Sequence, residues 1–297
     1  MRLITSLSEI RSLTLDLRKR AAPIGLVPTM GALHEGHLSL VRRAKSDGAA
    51  LVVSIFVNPT QFGPSEDYTR YPRNLDGDCE ALAPFDPEIV FAPKASAMYP
   101  EAFETYVTPG NVAERFEGAI RPGHFRGVAT VVLKLLNLVA LDVVYFGQKD
   151  FQQTAVLRRM IADFNLGTRV VICPTVREPD GLALSSRNAY LGPEDRRAAV
   201  VLYRSLSRAR ELFHGGETQA DALAAAMRAV LDAEPRAKID YAAVVRPDTL
   251  ESPAQITPGC VALVAARVGP ARLIDNLILG PAGASDEDLI KLAITSS

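Results

Sequence analysis

Five short apolar runs, rich in β-branched residues, constrain this chain more than any other feature. They lie at 24–28, 51–57, 88–91, 142–146 and 169–173. Stretches with helical spacing separate them, at 37–45, 76–83, 127–139 and 151–164. The run Leu51-Val-Val-Ser-Ile-Phe-Val57 has strand length and no polar alternation. A strand of that kind is buried on both faces, which suits a parallel sheet covered by helices. Strand–helix alternation therefore predicts an α/β domain with a parallel sheet over about the first 175 residues. A further helix is expected at 6–20, and an irregular stretch at 92–123.

The texture changes near residue 176. Two Ala/Arg-rich helices, 194–213 and 218–233, precede strands at 239–245, 260–267 and 271–279. Helices followed by consecutive strands predict a smaller α+β domain at 176–280. Residues 281–297 read as a weakly amphipathic tail.

Composition narrows the function. With 297 residues and 48% hydrophobic content, the chain has enough apolar material for two cores. The formal net charge of −1 gives no global basic field, so a nucleic-acid partner is not expected. Cys79, Cys173 and Cys260 are scattered and odd in number, which fits thiols in a reducing compartment. The N-terminus mixes charges through its apolar residues, unlike a signal peptide, and no run approaches the length of a membrane span. A soluble cytoplasmic protein is the expectation.

Two of the four histidines stand in PTMGALHEGHLSLV, at His34 and His37, between an expected strand and an expected helix. Open parallel sheets bind ligands at the carboxyl ends of strands, where helices begin. Helix N-termini attract anions, phosphates above all. Gly31 and Gly36 permit close backbone approach, and two imidazoles add donors. A polyanion alongside would favour their charged form. Glu35 would repel phosphate and should point away. The zinc-protease pattern H-E-x-x-H needs histidines four apart; here the spacing is three and a glycine intervenes. Histidines that only hydrogen-bond locally are the plainer alternative.

Three other stretches have the same character. Asn58 and Gln61 follow a strand in FVNPTQFG and suit a small polar ligand. In YFGQKDFQQ, Gly147 permits close approach and Lys149 offers a cation to phosphate. Asp150 there either caps the helix or binds a ribose hydroxyl, and Gln153 lies four residues beyond Lys149. In PTVREPDGLALSSRN, Ser185 and Ser186 precede Arg187, which can grip phosphate oxygens in bidentate fashion. The expected helix near Pro193 is too far along for Ser185 to serve as its N-cap.

Together with FVNPTQFGPSEDYTRYPR, RPGHFRGVATVVLKLLN and RLIDN, these segments resemble the pantoate–β-alanine ligase (pantothenate synthetase) family over about residues 1–280. The resemblance implies a nucleotidylyltransferase-type Rossmann domain, a smaller α+β domain closing over the ATP site, and a homodimer joined through the N-terminal domains. His34-Glu-Gly-His37 resembles the HIGH motif of that superfamily, and Ser185-Ser-Arg187 stands at its KMSKS-like loop. It implies two steps. The pantoate carboxylate attacks the α-phosphorus of ATP to give pantoyl adenylate and pyrophosphate. The β-alanine amine then displaces AMP.

Residue roles follow from the same resemblance. Met30, Gly31, Ala32, Leu33, His34, Glu35, Gly36 and His37 contact ATP, as do Gly147, Gln148, Lys149, Asp150, Val176, Leu184, Ser185, Ser186 and Arg187. His34, His37, Lys149 and Arg187 carry the chemistry. Gln61 and Gln153 hold pantoate, and Gln61 also meets β-alanine. Mg²⁺ accompanies ATP. The family has an acidic pair after YPR that helps hold it; here Gly77 replaces the first acid and Asp78 matches the second, with Asp76 nearby. Two other functions compete: a plain nucleotidylyltransferase, and a nucleotide sensor without chemistry.

Overall fold

The computed structural model describes residues 1–19, 22–64 and 66–295. Residue 20 of the expected first helix and the last two residues of the expected tail lie outside them. The chain forms two compact units. One comprises Met1–Gly147 with Gln153–Cys173; the other comprises Gln148–Gln152 with Pro174–Ser297.

The first unit is built on six parallel strands: β1 Arg2–Ile4, β2 Ile24–Thr29, β3 Ala50–Ile55, β4 Ile89–Phe91, β5 Val143–Gly147 and β6 Arg169–Cys173. Their order across the sheet is β1-β4-β3-β2-β5-β6. Between them run α1 Leu7–Leu17, α2 Glu35–Ser46, α3 Leu75–Leu82, the single turns α4 Ala95–Met98 and α5 Glu117–Ile120, then α6 His124–Val139 and α7 Phe151–Asp163.

Alternation along each strand feeds two apolar layers. Ile24, Leu26, Val52, Val144 and Phe146 join one core with Ile10 and Leu17 of α1, Val128 and Leu135 of α6, and Leu157 and Ile161 of α7. Val27, Val53, Val143 and Tyr145 join the other with Leu40 and Val41 of α2 and Leu82 of α3. The sheet is thus covered on both faces, as the unbroken apolar runs require. Strand order reverses at β2, whose neighbours are β3 and β5. That reversal is the topological switch point where such sheets bind ligands.

The second unit holds α8 Pro193–Ala198, α9 Val201–His214 and α10 Ala220–Asp232. An antiparallel sheet follows, in order β7 Ala237–Val245, β8 Val261–Val268, β9 Ala271–Ile278. Leu202, Leu206, Leu223 and Met227 of the helices pack with Ala262, Val264, Ala266 and Leu273 of the sheet.

Four local differences separate structure from expectation. The strand β1 has only three residues, too few for periodicity to reveal, and it is recruited by pairing with β4. The expected 194–213 helix is two helices, broken at Ala199–Val200. Short helices punctuate the irregular stretch. The tail contains a helix, α11 Asp286–Thr295, that buries Leu289, Ile290 and Ala293.

Candidate active site

The first unit brings together the residues around His34. After β2, Gly31 and Ala32 both take positive φ, +82° and +51°. For alanine that conformation is uncommon and must be held by its surroundings. Asp78, buried on the first turn of α3, holds it. Its Oδ1 accepts from Leu33 N at 2.7 Å and its Oδ2 from Ala32 N at 3.1 Å. A side chain on Gly31 would come within 2.8 Å of Asp78 Oδ2. Burial pushes the Asp78 carboxyl up; the two backbone donors pull it back only in part.

His34 is the N-cap of α2 and His37 its third residue. Gly36 N donates to His34 Nδ1 at 3.1 Å, and His34 N donates to His37 Nδ1 at 3.3 Å. The spacing of three is that of a capping box, built here from two imidazoles. Reciprocal capping is thus the physical reason that the histidines stand three apart. Because both Nδ1 atoms accept, the hydrogen bonds assign the proton of each ring to Nε2. The charged form expected beside a polyanion would break these caps. Glu35 is exposed and paired with Arg42, so it does point into solvent.

Gln61 is fixed from several sides. Asn58, 1% exposed, donates from Nδ2 to Gln61 Oε1 at 3.0 Å and to Gly127 O at 3.2 Å. Tyr99 Oη and Thr60 Oγ1 each donate to Asn58 Oδ1 at 2.9 Å. Gln61 Nε2 lies 3.3 Å from Met30 Sδ, so its donor end faces the segment that leads to the histidines. Beneath the loop, Gly127 of α6 comes so close that a Cβ would lie 2.3 Å from Thr60 O.

The RPGHFRG segment, to which sequence patterning assigns no individual roles, supplies the remaining support. His124 Nδ1 donates to Gln61 O at 2.9 Å, and its Nε2 accepts from Arg121 Nη1 at 3.1 Å. Burial and the Arg121 charge push the imidazole down to about 4, so it is neutral. Arg121 in turn makes a bidentate pair with Glu66 at 2.6 and 2.8 Å. Burial raises the Glu66 carboxyl, but Arg121 outweighs it and holds the group below its ordinary value. Gln153 is half-buried on the first turn of α7, in the same unit.

The second unit gathers the rest. After Gly147, which ends β5, residues Gln148–Asp150 form a 3-10 turn. Lys149 Nζ lies 3.5 Å from Asp150 Oδ1. Val176 O accepts from Leu184 N at 3.0 Å, closing a small hairpin between them. Ser185 Oγ accepts from Arg187 N at 3.3 Å and caps a 3-10 turn over Ser186–Tyr190. It is therefore an N-cap after all, of a turn too short to read from sequence.

Metal ligation fits poorly. Asp78 turns both oxygens to backbone N–H groups, and Asp76 is exposed. Among the described residues, no three His, Cys, Asp or Glu side chains gather as a metal site. The residues present do not form a protein-held Mg²⁺ cage.

Comparison with known proteins decides the family. The family model described as pantoate-beta-alanine ligase matches residues 2–278. The chain belongs to the pantoate-beta-alanine ligase family. Pantothenate synthetase of Roseiflexus sp. (strain RS-1) is 55% identical over 94% of this chain and 99% of its own length. That of Thermotoga neapolitana is 51% identical over 94% of this chain and its full length. Among solved structures, pantothenate synthetase from Thermus thermophilus aligns with a TM-score of 0.89 at 47% identity, covering 95% of this chain and 100% of that one. Pantoate-beta-alanine ligase from Francisella tularensis, solved with beta-gamma ATP and beta-alanine, aligns with a TM-score of 0.78 at 35% identity over 94% and 97% of the two chains. As a ligase of this family the chain is an enzyme, and none of its described helices is long and apolar enough to cross a membrane.

Proposed function

We propose that this protein condenses pantoate with β-alanine at the expense of ATP, through a pantoyl adenylate, releasing AMP and pyrophosphate. The observation that carries the reading is the His34–His37 capping box at the switch point of a parallel sheet. It presents two Nε2–H donors where a helix begins and its dipole favours negative charge, an arrangement suited to phosphate. Family membership supplies the reaction.

The chemistry needs these parts. A carboxylate is a poor acylating agent, because an attacking amine meets an anion with a poor leaving group. Joining it to AMP as a mixed anhydride removes the charge and supplies a leaving group. Its attack on ATP brings one anion to another, so donors must stand where negative charge accumulates. Family resemblance assigns His34, His37, Lys149, Ser185, Ser186 and Arg187 to that task. Met30, Gly31, Ala32, Leu33, Gly36, Gly147, Gln148, Asp150, Val176 and Leu184 line the nucleotide. Gln61 and Gln153 orient pantoate by neutral amides, and Gln61 meets the incoming amine. Positioning supplies much of the remaining acceleration.

A Mg²⁺ ion accompanying the nucleotide would be held chiefly by phosphate oxygens and water, and would supply charge neutralisation there. We assign Asp78 to the turn rather than to the metal. The enzyme works in the cytoplasm as a homodimer joined through its N-terminal units; a monomer mass by light scattering would remove the dimer.

The test is AMP release from ATP and Mg²⁺, with pantoate and β-alanine each added or omitted, and the product weighed by mass spectrometry. Turnover that requires both substrates and yields pantothenate is the expected result. A nucleotidyl group retained on another acceptor, or no AMP at all, would refute the reading.

A further inference from the structure

The strand β9 carries a polar pair, Asp275-Asn276, between apolar neighbours Leu273, Leu277 and Ile278. Asn276 is 1% exposed and Asp275 is 4% exposed. Buried polar groups are costly unless every donor and acceptor is used. Both polar atoms of the Asn276 side chain have partners. Its Nδ2 donates to Gln148 O and to Lys149 O, each at 2.9 Å. Its Oδ1 accepts from Gln148 Nε2 at 3.1 Å. The reverse orientation would press a carbonyl against two carbonyls, so the network fixes which end is which. The bonds span about 128 positions in sequence, and both partners lie in the same unit.

Asp275 does the same for a second segment. Its carboxylate takes Arg177 in a bidentate pair at 2.6 and 2.9 Å. Arg177 also donates to Gly181 O at 3.0 Å and to Asn276 O at 3.1 Å. Arg177 pairs across the hairpin with Ala183, two residues before Ser185. Two adjacent residues of β9 thus anchor both the Gln148–Asp150 turn and the hairpin that delivers Ser185, Ser186 and Arg187.

We infer that Asn276 is a positioning residue of the ligase reaction: by binding the carbonyls of Gln148 and Lys149 it aims the Lys149 ammonium, in register with the Ser185–Arg187 segment that Asp275 holds through Arg177. The inference rests on the proposed role of Lys149 at the phosphates. Loss of the clamp leaves the cation present but misplaced.

A double-mutant cycle tests it. AMP release and thermal unfolding are measured for wild type, Asn276→Ala, Lys149→Ala and the double variant. Asn276→Ala is expected to lower kcat by about 10-fold to 10²-fold, the scale of a misplacement of about 1 Å. In the Lys149→Ala background it should change kcat by less than about 2-fold, since the residue through which it acts is gone. Losses that multiply in the double variant, or a wild-type kcat for Asn276→Ala, would overturn the inference while leaving Lys149 in place. A wild-type kcat for Lys149→Ala would instead remove the role of Lys149, and the inference with it. Should the alanine variant fail to fold, Asn276→Asp keeps the size and repels the two carbonyls when ionised. Its kcat relative to wild type should rise as pH falls from about 8 to about 6, because a protonated carboxyl donates where a carboxylate cannot. A flat ratio would count against the clamp.

Discussion

The histidine turn after β2 and the lysine turn after β5 solve one problem in opposite ways. Both leave the carboxyl end of a central parallel strand, and both carry candidate catalytic side chains. The histidine turn exposes backbone N–H groups, and a carboxylate, Asp78, accepts from two of them. The lysine turn exposes carbonyls, and the NH₂ of an amide, Asn276, donates to two of them. The character of the clamp follows the character of the backbone groups that the turn leaves orphaned. The two also differ in what else they fix. The carboxylate secures a positive-φ alanine, whereas the amide secures a lysine backbone and leaves the long side chain to reach.

The largest effect should come from the donor that the histidine turn exists to present. His37→Ala is expected to lower kcat by about 10²-fold to 10³-fold, the loss typical of one preorganised donor. Retention of wild-type turnover in a steady-state AMP assay would mean that the turn serves only to cap α2.

Next comes His124, which tests whether backbone clamping extends to Gln61. Its imidazole titrates at about 4 in the fold against 6.5 when unperturbed, with Arg121, Glu117 and Glu66 facing it. Between those values the unfolded chain binds more protons than the folded one. Stability therefore rises with pH across that window and is lost as pH falls through it. Once the window is passed the loss amounts to about 3 kcal/mol. Urea titrations at several pH values should show this slope in wild type and a shallower one in His124→Gln; equal slopes would contradict the assignment.

Asp78→Asn converts one clamp into the chemistry of the other. One N–H loses its acceptor and meets an NH₂ group. The expected cost is about 1.5 kcal/mol of stability, at the low end for a charge-assisted bond because burial already penalises the carboxylate. The Mg²⁺ dependence of the rate should not change. An altered Mg²⁺ requirement with unaltered stability would return Asp78 to the metal.

The smallest effect is expected at Gly127. Alanine there gains up to about 1 kcal/mol of helix propensity. Its Cβ, however, would meet Thr60 O at 2.3 Å and Gln61 N at 2.6 Å, so backbone must move. Overpacking of that kind costs about 1–3 kcal/mol, and we expect a net loss of about 1 kcal/mol with a raised KM for pantoate. An unchanged KM would show that Gln61 tolerates the shift.

Much of the fold could be read from periodicity. The central strands β2, β3 and β5 lie near their expected positions because burial on both faces leaves an unbroken apolar signal. The strand β1 could not, since three residues have no period and its stability comes from β4. The break between α8 and α9 was invisible because no glycine or proline marks it, and Val200 and Val201 lower helix propensity only slightly. At the candidate site, the turns were legible from their glycines and the spacing of the histidines. The residues that hold them were not. Asp78, His124 and Asn276 stand about 45, 63 and 128 positions from the backbone groups they bind, and no local pattern links such pairs. A faint signal existed for Asn276: a polar pair interrupting an apolar strand invites the question of what satisfies it.

The five residues Gln148–Gln152 interrupt the first unit in sequence yet belong to the second in space. For recombination between two related parents, this makes the obvious crossover the wrong one. A junction at Pro174 would take Lys149 and its turn from one parent and Asn276 from the other. The inherited module is discontinuous, and a chimera keeps the Lys149 turn with its own Asn276 only by exchanging residues 148–152 together with everything from Pro174 onward.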